Sequence, residues 1–492
     1  MNNNDLTSNI KKVLVVFLLL FITLISYIGY FQLFKAHDIA ARKENKRLWV
    51  KRNEVVRGVI YDRNKTVLAQ TIEKTELNQK RQYPGGEAFA HVVGYVDETY
   101  DLAGLEATYD QELISYDIIN ASIDAFLKKL NFKEEFNKRT VQEDKKGNNL
   151  ITTLDANLQN IAFDALGTNK GAVVALNPKT GEILASVSKP SYDTNNLKNI
   201  WKSINTDEEG KPLINRATSG LYPPGSTFKI VTAASALENI PGVTTKKFKD
   251  NGKIKFNEKQ SLSNYGGYSY GDIDLKKAIS VSSNVVFGTL AMDLGNDKLM
   301  ATAEKFGFNK KISSDDVFIA QSKFPKLEKS EIGNIAQTGI GQSSILASPM
   351  EMALVISTIA NDGVMMKPSL MKEIVSSNGR KVKSMKPEAL QTVISKDQAS
   401  TLRDYLKASV DEKIKSQWKY VFNGTNTAGK TGTADYKLPN GENAVPHSWF
   451  VGFAPADNPQ VAIAVIVENG GLGGGAAAQT AGKVIKAALN TK

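Results

Sequence analysis

The hydrophobic pattern opens with an unbroken apolar run. Residues 13–34 are 22 positions without a charge, rich in Leu, Ile, Val and Phe. About 20 such residues cross a bilayer as a helix. No small-x-small cleavage site follows, so the run is expected to be an uncleaved anchor and not a signal peptide. Residues 42–52 are charged and read as a juxtamembrane helix. Residues 57–64 alternate as a strand that ends in a turn, and residues 67–71 read as a second strand. A helix is expected to begin over residues 104–113. Further on, Ile118, Ile119, Ile123, Phe126, Leu127 and Leu130 keep helical spacing. Residues 133–149 are polar and carry both signs of charge, which marks the expected domain boundary.

From residue 150 the pattern becomes α/β. Residues 155–166 form an amphipathic helix pattern, and residues 171–176 and 182–188 are apolar strands joined by the turn Asn177-Pro-Lys-Thr-Gly181. A mostly helical stretch is expected from residue 226 to about 359. Paired strands follow over residues 447–453 and 461–468, then a glycine-led closing helix over residues 473–489. Strands at both ends with helices between them predict one sheet assembled from distant parts of the chain. The expected plan is a tail over residues 1–12, an anchor over 13–34, a small domain over 35–149 and a large domain over 150–492.

Charge and composition narrow the chemistry. The net charge of +11 would suit nucleic acid, but its location points elsewhere. Nine basic residues (Lys11, Lys12, Lys35, Arg42, Lys43, Lys46, Arg47, Lys51 and Arg52) are opposed only by Asp38 and Glu44, giving +7 around the apolar run. Anionic lipid headgroups are the natural partner of that charge, and no nucleic-acid partner is expected. The absence of cysteine excludes disulfides and thiolate metal sites. Three scattered histidines (His37, His91 and His447) make no histidine zinc site, so no metal and no cofactor are expected.

Three short words carry the candidate chemistry: Ser226-Thr-Phe-Lys229, Ser282-Ser-Asn284 and Lys430-Thr-Gly-Thr433. Each is weak alone. Ser-x-x-Lys recurs at Ser8, Ser186 and Ser416, Ser-x-Asn at Ser203 and Ser376, and Lys-Thr-Gly at Lys179. Context selects Ser226, which follows Tyr222-Pro-Pro-Gly225 and opens a helix expected over residues 227–237, with the serine as a favoured cap. On that helix Ser226 and Lys229 share a face, one turn apart. A serine hydroxyl needs a neighbouring base, and lysine serves only when burial or another cation destabilises its ammonium. The helix end and Lys430 are expected to do that to Lys229. Gly432, without a side chain, is read as leaving room for a ligand along its strand, with the hydroxyls of Thr431 and Thr433 available to a carboxylate. Ser282 is placed at a helix boundary.

In this order the three words are those of penicillin-binding proteins and class A β-lactamases. The chain resembles a class B penicillin-binding protein, a monofunctional peptidoglycan D,D-transpeptidase. The resemblance extends to Arg57-Gly-Val-Ile-Tyr-Asp-Arg-Asn64, Gly104-Leu-Glu-Ala-Thr-Tyr-Asp110, Gly171-Ala-Val-Val-Ala-Leu-Asn-Pro-Lys-Thr-Gly-Glu182, Asn215-Arg-Ala-Thr218, Gln337-Thr-Gly-Ile-Gly-Gln342 and Ser448-Trp-Phe-Val-Gly-Phe453. It implies an α/β (α+β) transpeptidase domain of the penicillin-binding and serine β-lactamase type: a mainly antiparallel sheet flanked by a helical region, on a small N-terminal pedestal of the dimerisation type. It implies Ser226 as nucleophile, Lys229 as base, Ser282 as proton relay and Asn284 as orienting group. Lys430, Thr431, Gly432 and Thr433 would bind substrate, and the N–H groups of Ser226 and Thr433 would form the oxyanion hole. The implied partners are peptidoglycan stem peptides, β-lactams, the cytoplasmic membrane and a multispanning glycan polymerase of the shape, elongation, division and sporulation (SEDS) family. The implied location is a single-pass membrane protein with its catalytic domain outside the cytoplasm, although the flanking charges point the other way.

Rival readings remain distinguishable. A class A β-lactamase adds a Glu-x-x-Leu-Asn word; Glu351-Met-Ala-Leu354 comes nearest, but Val355 follows. A membrane β-lactam sensor would need further spans and a signalling domain. A scaffold that binds stem peptides without turnover would not need all three words intact. Fewer than 120 residues lie between the anchor and the large domain, too few for a glycosyltransferase, and no repeated C-terminal modules are expected.

Overall fold

A computed structural model describes residues 3–35, 46–75, 78–115, 145–258, 260–436 and 442–490. The helix expected over residues 118–130 and most of the polar segment 133–149 lie outside the described residues. Helix α1 (Asn3–Phe34) contains Ile10–Phe31, 22 residues long and apolar enough to cross a membrane, with none of its surface packed against the protein. Helix α2 (Lys46–Asn53) follows.

The N-terminal domain is built on strands β1 (Ile60–Tyr61), β2 (Val67–Lys74) and β3 (Gln79–Gln82). The strand expected over residues 57–64 is much shorter because its backbone is engaged elsewhere. Arg57 N donates to Gln79 Oε1, Gly58 N to Leu113 O and Val59 N to Asn149 Oδ1. The expected helix over residues 104–113 is two short ones, α3 (Gly104–Thr108) and α4 (Asp110–Ile114), broken at Tyr109. Strand β4 (Asn149–Thr152) runs parallel to β1. From far along the chain, β7 (Met371–Val375) and β8 (Lys381–Ser384) complete a six-stranded sheet in the order β8-β7-β4-β1-β2-β3. A hydrogen-bonded sheet therefore joins residues on both sides of position 150.

A buried ion cluster closes this domain. Glu106 receives Arg57 at 2.6 Å and Arg81 at 2.7 Å; Asp110 receives Arg57 at 2.6 Å and Arg52, on α2, at 2.8 Å. Burial pushes the Glu106 carboxyl up, but Arg81 and Arg57 outweigh it and hold the group below its ordinary 4.5.

The large domain has a five-stranded, wholly antiparallel sheet in the order β9-β10-β11-β5-β6. These are Ala428–Ala434 (β9), His447–Ala454 (β10), Val461–Val467 (β11), Gly171–Leu176 (β5) and Ile183–Lys189 (β6). Both faces are covered, which is why β5 and β11 read as continuous apolar runs. Alternate side chains serve opposite faces. On β11, Ile463, Val465 and Val467 pack with α5 (Ala156–Ala165) and α11 (Ala476–Asn490), while Ala462, Ala464 and Ile466 join the core around the buried helix α9 (Pro349–Ala360). The expected helical middle is only partly so: α6 (Lys229–Asn239), α7 (Leu275–Val281) and α8 (Asn284–Lys305) are separated from one another in part by short hairpin strands at Phe248–Asp250, Lys253–Lys255, Ser261–Ser263 and Gly271–Ile273. Helix α10 (Lys396–Ile414) packs beside β9.

Breaking the ion cluster leaves an arginine charge buried without its partner, which typically costs about 3–5 kcal/mol. Glu106→Gln should therefore lower the thermal unfolding temperature of the detergent-solubilised chain. The Glu106 contribution is present above pH 4.5 and lost as pH falls through its lower folded value, so wild type and variant should converge in strong acid.

Candidate active site

Ser226 sits in a 3₁₀ turn, Gly225–Phe228, that leads into α6. It does not cap the helix as expected, because the approach to it is pinned from outside. Tyr222 exchanges backbone hydrogen bonds with Ala347, the Trp449 indole donates to Pro223 O at 3.0 Å, and Gly225 N donates to Gly341 O at 3.0 Å. Phe228 is fully buried edge-on to Phe308. The half-buried Ser226 hydroxyl is left with no hydrogen bond to any described residue.

Lys229, one turn on, is fully buried. Its ammonium donates to Asn284 Oδ1 at 2.7 Å, Ser282 O at 2.7 Å and Ser282 Oγ at 3.1 Å. Ser282 caps α7 in the left-handed region (φ 59°, ψ 42°), a costly conformation for a non-glycine residue and one that clusters at functional sites. Lys430 completes the arrangement by donating to Ser282 Oγ at 2.9 Å and to Thr431 O at 3.2 Å. The structure thus brings the three words to one point. The Ser-x-x-Lys copy at Ser186 lies in β6, and Lys179 lies in a hairpin on the far side of the sheet order from β9.

Gly432 belongs to β9, and its bare Cα has a packing cause. A Cβ there would meet Pro224 O at 2.8 Å, Thr227 Cγ2 at 2.9 Å and Trp449 Cβ at 3.1 Å. The missing side chain lets the strand close on the Ser226 turn, whereas the sequence reading assigned it to room for a ligand. Thr431 and Thr433 share the other face of the strand; Thr433 Oγ1 accepts Gly473 N at 3.1 Å.

Sequence reasoning missed two features. The first is Lys413, near the end of α10, whose ammonium donates to Thr431 Oγ1 at 3.0 Å and rests 4.8 Å from the Trp418 ring centre. The cation that acts on Lys229 is thus Lys413, where Lys430 and the helix end were expected. Burial, then Lys413, pushes Lys229 well below the usual lysine range, with Asp250 pulling in the opposite direction. Lys430 is pushed down in the same way by burial, Lys413 and Lys229. Lys413 itself falls to about 8 through burial, with Glu412 opposing. The second feature is Asp250, fully buried, which accepts Ser283 Oγ at 2.5 Å and both bonds from Asn264 Nδ2 at 2.8 and 2.9 Å. Asn264 Oδ1 in turn accepts Asn284 N at 2.8 Å and Val285 N at 3.1 Å, holding the start of α8. No spacing rule links residues 250, 264 and 413 to the three words.

Residues 171–487 match the family model of the penicillin-binding protein transpeptidase domain. The chain belongs to the penicillin-binding protein family. Residues 57–128 match the penicillin-binding protein A dimerisation domain. The chain is 32% identical to the peptidoglycan D,D-transpeptidase PbpA of Mycolicibacterium smegmatis, with 98% of this chain and 99% of that protein aligned. It is 29% identical to the peptidoglycan D,D-transpeptidase MrdA of Escherichia coli K12, over 80% of this chain and 69% of that protein. Among solved structures, penicillin-binding protein A from M. tuberculosis as a ceftriaxone acyl-enzyme superposes with a TM-score of 0.80 at 31% identity, covering 90% of this chain and all of that one. Its imipenem acyl-enzyme gives 0.78 at 31% identity, covering 89% of this chain and all of that one. The fold expected of this penicillin-binding protein is thereby established.

Gly432→Ala tests the packing of the site. Inserting a methyl into a filled contact costs about 1–3 kcal/mol. The variant should melt at lower temperature than wild type; an unchanged melting temperature would show that β9 and the turn have slack.

Proposed function

We propose that the chain is a peptidoglycan D,D-transpeptidase that works through a Ser226 acyl-enzyme. The observation that carries this is the convergence of Lys229, Ser282, Asn284 and Lys430 one turn from Ser226, whose hydroxyl bonds to no described residue, in a chain alignable end to end with a named D,D-transpeptidase. Ser226 Oγ attacks the carbonyl carbon of the penultimate D-alanine, and its proton passes to Lys229, whose ammonium form is destabilised by burial. The backbone N–H groups of Ser226 and Thr433 stabilise the negative charge that develops on the carbonyl oxygen. The close approach of turn and strand supports this: a Cβ on Gly225 would lie 2.4 Å from Thr433 O. As the C–N bond breaks, Ser282, held between Lys229 and Lys430, delivers a proton to the departing D-alanine nitrogen. Asn284 orients Lys229 and the substrate amide, while Thr431 and Thr433 bind the terminal carboxylate. The amine of a second stem peptide then attacks the ester, releases Ser226 and leaves a cross-link.

A β-lactam enters the same first step and stays attached when no base activates water. Glu351, in the word nearest to a deacylating motif, is fully buried with its carboxyl pushed up to about 8 by burial and its Oε1 against Gly307, in the core of α9. We place residues 1–12 in the cytoplasm, residues 13–34 in the membrane, and residues 35–149 and 150–492 outside as pedestal and transpeptidase domain. The stem peptides that this chemistry needs lie outside the membrane. A multispanning SEDS-family glycan polymerase is the partner that suits an enzyme supplying cross-links alone.

Intact mass after incubation with benzylpenicillin tests the reading. Wild type should carry one persistent adduct and Ser226→Ala none; drug consumed without an adduct would make the protein a β-lactamase, and drug neither bound nor consumed would make it a non-catalytic binder. A second prediction concerns pH. Asp250 favours the charged form of Lys229, so Asp250→Asn should leave more neutral amine at a given pH. The rising limb of the acylation rate against pH should then move to lower pH; a shift upward, or none, would contradict the base role of Lys229.

A further inference from the structure

The donors of the three site lysines are unequally committed. An ammonium has three donors. Lys229 has Ser282 O, Ser282 Oγ and Asn284 Oδ1 around it, and Lys430 is held by Ser282 Oγ and Thr431 O. Lys413 makes a single hydrogen bond, to Thr431 Oγ1, among the described residues. No carboxylate of those residues pairs with it. Its neighbour Glu412 is occupied by Lys277 at 2.7 Å and by the Ser280 hydroxyl, which also ties the end of α10 to α7. A partly buried cation with unused donors and no hydrogen-bonded carboxylate among the described residues is costly, Glu412 acting on it only at a distance, and an anion brought by a ligand relieves that cost. The Thr431 O–H donates to none of the described residues, so it can turn to the same anion, on the strand face that it shares with Thr433.

We propose that Lys413 is the cation that pairs with the substrate's terminal carboxylate, together with the Thr431 hydroxyl, and with the equivalent carboxylate of a penicillin. This rests on the transpeptidase reading above and deepens it. Lys430, the lysine of the third word, is then chiefly a partner of Ser282, and the charge that selects a free C-terminal acid comes from α10, outside all three words.

The test compares the full chain with Lys413→Met, which keeps the aliphatic stem on Trp418, and with Lys413→Arg, which keeps the charge. Acylation rates are followed by intact mass with benzylpenicillin and with its methyl ester, which lacks the anion. Lys413→Met should slow acylation by the free acid about 10- to 100-fold, the size of a charge-assisted hydrogen bond, while Lys413→Arg largely retains it. Toward the ester, wild type and Lys413→Met should react equally. A loss of equal size toward acid and ester, or no loss toward the acid, overturns the proposal. So does a loss toward the acid shared by the Arg and Met variants, which decides the matter if the ester acylates none of them. Failure of the wild type to take any adduct would instead overturn the transpeptidase reading itself.

Discussion

Three lysine side chains, Lys229, Lys413 and Lys430, converge around Ser282 and Thr431, with the buried carboxylate of Asp250 behind them. Burial destabilises all three ammonium groups, and repulsion from Lys413 adds to it at Lys229 and Lys430. That excess of positive potential is what the surrounding fold has to sustain. It favours the amine form that a base requires, and it makes an anionic ligand the natural completion of the site.

Such a cluster survives only where each ammonium is fixed by oxygen acceptors. Ser282 supplies both its hydroxyl and its carbonyl oxygen, at the expense of a left-handed backbone. Asp250 and Asn264 stabilise the segment that follows by holding Ser283 and the first N–H groups of α8. On the opposite wall, β9 is drawn against the Ser226 turn by the absence of a side chain at Gly432. The five-stranded sheet, covered on both faces, gives this wall its rigidity, and the N-terminal sheet is tied into the same body through β4, β7 and β8.

Much of this was legible in the sequence, for reasons that differ by element. The strands β5 and β11 were legible because burial of both faces leaves an unbroken apolar run. Helix α5 was legible from its period; in the fold the Asp155 side chain accepts Leu158 N as its cap. The meeting of Lys229, Ser282, Asn284 and Lys430 could be anticipated because each belongs to a word of fixed short spacing. The reach of the strand at Arg57, the split at Tyr109 and the hairpins between α6 and α7 were not, since each depends on hydrogen bonds to residues distant in sequence. Lys413 and Asp250 escaped for the same reason: one enters from a helix end and the other from a hairpin, and neither carries a local signal.

The neutral state of Lys229 can be measured directly. Lysine labelled with carbon-13 at Cε, followed by NMR across pH in the wild type and in Lys229→Arg, isolates one resonance by its absence from the variant. That resonance should titrate with a midpoint well below the ordinary 10.5. A midpoint at the ordinary value would mean that the cleft does not destabilise the ammonium, and Lys229 would then be a hydrogen-bonding cation and not a base.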